Sequence, residues 1–182
     1  MTGDAIKNYP DALLAAKRLH EGCPMPFPLN VSRLLEAIGT HTVYDLSSQT
    51  YNDTYALHDG EMLHPQKAWT IYNEQLDVYL IVWNAAQSRA AIRYSVAHEI
   101  GHIVLNHERS WPADKALMKH KKEQEATAFA KYLLAPLEEI HILCGTKPYN
   151  AKLVAEFFGI PYLAAQQLRS DYTRWRHMER YE

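Results

Sequence analysis

Residues 97–102 read AHEIGH, and this short run limits the chain more than any other feature. His98 and His102 stand four residues apart, with Glu99 between them. Two imidazoles can share a metal ion only if they project from one face. On a helix, a spacing of four leaves side chains only about 40° apart around the axis. Glu99 lies about 100° from His98 on that helix, so its carboxylate can reach a water at the metal without being a ligand. The expectation is a helix that holds zinc (Zn2+) through His98 and His102, with Glu99 as the catalytic general base. A chain of this composition contains the five-residue pattern by chance at roughly 4 %, so context must carry the reading. Ile100, Ile103 and Val104 are apolar, as in a helix packed into a core. Gly101 costs a helix about 1 kcal/mol relative to alanine, which predicts a close approach by another element.

A zinc site needs a third protein ligand. The extended pattern H-E-x-x-H-x-x-G-x-x-H would put glycine at 105 and histidine at 108, but the chain has Leu105 and Glu108. Without that glycine the helix need not turn, and a three-histidine site is disfavoured. A carboxylate from a later helix is the other solution, and EQEATAFAKYLLAP (123–136) offers one. Ala126, Phe129, Ala130, Leu133 and Leu134 make an apolar stripe. Glu125 adjoins the stripe and is the expected third metal ligand; Glu123 sits off that face and is the weaker candidate. Tyr132 follows Glu125 by seven residues, about 20° from its face. It is a candidate transition-state stabiliser, or equally a packed core tyrosine. His107, five residues past His102, is read as pointing elsewhere. His41, His58, His64 and His120 lack metal spacing and read as surface residues.

The two blocks RYSVAHEIGHIVLNH and EQEATAFAKYLLAP together resemble the ImmA/IrrE family of metallopeptidases. The family pattern runs R-F-T-x-A-H-E-x-G-H, then E-A-x-x-F-A-x-x-L-L-x-P. Arg93-Tyr94-Ser95 stands where R-F-T is usual, and Ala97 to His102 match throughout. Glu125-Ala126, Phe129-Ala130, Leu133-Leu134 and Pro136 match the second block. Tyr132 stands where many members have an acidic residue, and His107 falls one place later than in many. The resemblance implies a minimal zincin with His98, His102 and Glu125 as ligands and Glu99 as the catalytic residue. It also implies cleavage of a helix-turn-helix repressor, often encoded beside the protease in a mobile element, so that repression is relieved.

The remainder of the chain is read as one metallopeptidase domain over 1–182, α+β in class. Helices and a first strand fill 10–46. A β-hairpin over 68–84 supplies a small, mostly antiparallel sheet packed on the active-site helix, and its edge could take a substrate strand. The active-site helices occupy 88–136, with Ser88 as a cap, and a helical part covers 137–182. Net charge is −2, which gives no general attraction to nucleic acid or acidic membranes. The two cysteines, Cys23 and Cys144, form no framework and suit a reducing cytosol. No apolar run reaches about 18 residues and no signal sequence opens the chain, so a cytoplasmic protein with no membrane partner is expected. Two alternatives stand beside the protease. One is a zinc-bearing regulator that binds a repressor without cutting it. The other is DNA binding through the helical pair around Gly159-Ile160-Pro161, disfavoured because basic residues there are few.

Overall fold

The computed structural model describes residues 9–38, 42–46, 68–73, 78–84, 86–107 and 115–178. Helix α1 spans Pro10–Gly22. Pro10 suits its first turn because the ring fixes φ and no amide there needs a partner. Ala12 and Ala16, one turn apart, are fully buried, and α1 lies along the long helix Lys115–Leu134. Helix α2 spans Val31–Ala37 and buries Leu34 and Leu35.

Three short strands follow: β1 (Thr42–Leu46), β2 (Trp69–Asn73) and β3 (Val78–Asn84). The strand order is β1-β3-β2. β2 pairs antiparallel with β3, with Thr70 opposite Ile81, whereas β1 pairs parallel with β3, Val43 opposite Ile81. Ile81 is fully buried, and β3 lies against the first helix of the site.

Helix α3 spans Arg89–Val104, capped by the Ser88 side chain, which accepts from the Ala91 amide at 3.2 Å. Val96, Ala97, Glu99, Ile100, Gly101 and His102 are all buried. These positions go almost round the helix, as expected of a central element rather than a surface one. Helix α4 (Lys115–Leu134) packs along α3 more extensively than any other pair of elements. A Cβ at Gly101 would stand 3.0 Å from Phe129 Cδ1 and 3.2 Å from Ala126 Cα and O, so the backbones approach closely there, as the glycine predicts.

Helices α5 (Leu137–Cys144), α6 (Ala151–Phe158) and α7 (Tyr162–Met178) complete the described part. Asn150 caps α6 by accepting from the Lys152 and Leu153 amides. Gly159, at φ +61°, closes α6 in the left-handed region that a Cβ disfavours. Arg93 of α3 fastens this turn: its Nη1 donates to the Gly159 carbonyl and its Nε to the Leu29 carbonyl.

The expectation of an α+β protein with a mostly antiparallel sheet is corrected. Helices hold most of the described residues, and the sheet is a three-stranded patch with one parallel and one antiparallel ladder. The reason is where the apolar surface meets: α4 packs against both α3 and α1, and the short strands cover only part of α3. Within the span 88–136, α3 ends at Val104 and α4 begins at Lys115, before the EQEATAFAKYLLAP block. The polar stretch 47–66, the link between β2 and β3, residue Glu108, and His41, His58 and His64 lie outside the described residues. No helix among the described residues is long and apolar enough to cross a membrane.

Candidate metal centre

The backbone of α3 presents His98 and His102 on one face, and their Nε2 atoms come within 3.1 Å of each other. Glu123 of α4 joins them. Its Oε2 lies 3.3 Å from His98 Nε2 and its Oε1 3.6 Å from His102 Nε2. One donor atom from each of the three residues lies within 4.8 Å of the other two. An ion with bonds of about 2.0–2.1 Å to four tetrahedral ligands holds their atoms about 3.3 Å apart. The donor set of two imidazoles and a carboxylate therefore fits zinc in both chemistry and spacing.

Glu125 does not take the place expected of it. Its Oε2 pairs with His107 Nε2 at 3.1 Å, and its Oε1 lies 3.6 Å from Lys121 Nζ. The histidines sit not beneath the apolar stripe of α4 but at its flank, where Glu123 is still about half exposed. Glu123 and Thr127, four residues apart, share the face that meets His98, and Thr127 Oγ1 lies 3.4 Å from His98 Nδ1.

The IrrE N-terminal-like domain of the M78 peptidases matches residues 56–168, which include both helices of the centre. The chain belongs to the M78 peptidase family. No curated protein matches it. Among solved structures, a Mycobacterium tuberculosis transcriptional regulator shares the fold, with a TM-score of 0.57 and 14% identity over 86% of this chain. The match covers 45% of that regulator, so the chain spans less than half its length.

In this M78 chain, Glu99 is 9 % exposed, and Thr70 of β2 donates to its Oε2 at 2.8 Å. Thr70 is a site residue that no motif announces, since it stands in a strand 29 residues upstream. Burial, and next the neighbouring His98, push the pKa of His102 down to about 4. Its ring is therefore neutral near pH 7, the form in which an imidazole can be a ligand. Burial also lowers the pKa of His107, against the opposing pull of Glu125.

His107 is not turned away, as the spacing suggested; its Nδ1 lies 3.0 Å from His102 Nδ1. Tyr132 is 2 % exposed and its hydroxyl lies beside Asp171 of α7. Burial, then Asp171, push its pKa far up. The packed-core alternative describes its surroundings. His120 is exposed and pairs with Gln124.

Proposed function

We propose that the protein is a zinc-dependent endopeptidase that hydrolyses a peptide bond in a specific intracellular protein, a helix-turn-helix repressor, and so relieves repression. The observation that carries this reading is the triangle of His98, His102 and Glu123 on the helix that also carries Glu99. When bound, zinc polarises the scissile carbonyl and brings the pKa of water towards about 7. Glu99 takes the proton from the attacking water and delivers it to the leaving amine. Thr70 holds one carboxylate oxygen and so aims the other. β2 lies at an edge of the described sheet, beside Glu99, and a substrate in extended form can pair with its main chain. The substrate class follows the family resemblance, and the likeness to a regulator's fold is compatible with a partner in transcription.

The test is co-expression with a neighbouring helix-turn-helix repressor. Purified protein should carry about one zinc. Glu99→Gln should keep the metal and lose cleavage. His98→Ala combined with His102→Ala should lose both, and zinc retained in that variant would remove the site assignment. Derepression by Glu99→Gln equal to wild type would move the function to non-proteolytic repressor binding.

A further inference from the structure

We propose that His107 and Glu125 form a positioning dyad that fixes the tautomer and ring orientation of His102. The inference rests on the zinc reading above, and it gives Glu125 a place outside the ligand set.

The geometry begins in the last turn of α3. Asn106 has φ +56°, in the left-handed region that asparagine tolerates better than most residues. Its amide donates to the Ile103 carbonyl at 3.0 Å, and the His107 amide donates to the His102 carbonyl at 2.9 Å. These two bonds are those of a Schellman motif with asparagine in the place of the usual glycine. The reversal carries His107 back beside His102 instead of onward along the helix axis. Lys122 of α4 then pins the turn by donating to the His107 carbonyl at 3.1 Å. His107 ends 8 % exposed, with its ring between α3 and α4.

The protons in this arrangement are determined in sequence. His102 Nε2 faces His98 and Glu123, so it is the ligand atom and carries no proton. A neutral imidazole then carries its proton on Nδ1. That Nδ1 faces His107 Nδ1 at 3.0 Å, so His107 Nδ1 accepts. His107 must then carry its proton on Nε2, which lies 3.1 Å from Glu125 Oε2, an acceptor when ionised. Each bond has one possible direction, and the carboxylate at the end sets the whole chain. Lys121 holds the other oxygen of Glu125 from one turn away. A Glu125 drawn onto the metal would leave His107 Nε2 without its carboxylate, and the tautomer of His102 would no longer be set from outside.

Outer partners of this kind alter metal affinity by about 10–100-fold. Cobalt(II) is the probe, since its visible absorption reports the ligand set and chelator competition gives its affinity. Glu125→Ala and His107→Gln should each weaken cobalt binding by about 10–100-fold while leaving the absorption bands of the bound ion in place. The double variant should bind no more weakly than His107→Gln, because both act through one chain of bonds. Glu125→Gln, which keeps a carbonyl acceptor, should bind more tightly than Glu125→Ala. Alanine on α4 is a strong helix former, so folding is not at issue in the central variant. Affinities of both single variants within about twofold of wild type would overturn the dyad. So would a Glu125→Ala spectrum that has lost a ligand while that of Glu123→Gln is intact. A wild-type protein that takes up no cobalt would instead remove the zinc reading, and the dyad with it.

Discussion

Thr70 reaches across from β2 to one oxygen of Glu99. A hydrogen bond to a charged group contributes about 1.5–3 kcal/mol, so Thr70→Val, which keeps the shape and removes the donor, should lower kcat about tenfold or more. Zinc content should not change, because Thr70 touches no proposed ligand, and a joint loss of zinc and activity would contradict its role. His102 contributes a pH dependence. Its folded-state pKa, about 4, is below the ordinary histidine value of 6.5. The unfolded chain therefore binds more protons in that interval, and the contribution present above pH 6.5 is lost as pH falls towards 4. The urea midpoint of metal-free protein should drop between pH 7 and pH 5, and His102→Gln should flatten that drop. His98, Glu99 and His102 are legible in the sequence because helix geometry alone aligns them. Thr70 is not, and Glu123 stands there only as the weaker of two candidates, since their approach depends on how β2 and α4 are phased against α3, which no local pattern encodes.

At the level of elements, the close contact between α3 and α4 is tested by Gly101→Ala. The added methyl gains about 1 kcal/mol in helix propensity but meets Phe129 and the Ala126 backbone, and overpacking costs about 1–3 kcal/mol. The net should be a destabilisation of about 1 kcal/mol with weaker zinc binding, because α4 carries Glu123; denaturant melts and chelator competition read the two effects. Local chemistry marks several element ends in the sequence: Pro10 opens α1, Ser88 caps α3, and Gly159 closes α6. The end of α3 is hidden by the same logic. The glycine that the three-histidine pattern would put at position 105 is absent, and Asn106 makes the turn one residue later. The parallel pairing of β1 with β3 is hidden for a different reason: strand composition carries no information on strand direction.

Across the whole molecule, Lys131 of α4 and Asp171 of α7 form a buried pair that joins the site helices to the C-terminal ones. Their charged atoms lie 3.9 Å apart, with side chains 10% and 3% exposed. Burial lowers the pKa of Lys131 and raises that of Asp171; each pulls the other back towards its charged form, and Arg174 and the Tyr132 hydroxyl add to the pull on Asp171. Lys131→Met should destabilise the protein by about 1–3 kcal/mol, since it takes a cation from a buried carboxylate and leaves it to Arg174 and the Tyr132 hydroxyl, and adding Asp171→Leu should restore part of that. Equilibrium unfolding in urea measures both steps; equal stability of Lys131→Met and wild type would show the pair to be incidental.

The Gly101 contact also bears on motion. Helices whose backbones touch have no space between them to slide or rock, so α3 and α4 move as one body. The wall formed by β2 is built differently, from five residues at an edge of the described sheet, with Thr70 bonded to Glu99. Under the peptidase reading proposed above, opening for a peptide falls to the strand wall, while α3 and α4 keep their spacing.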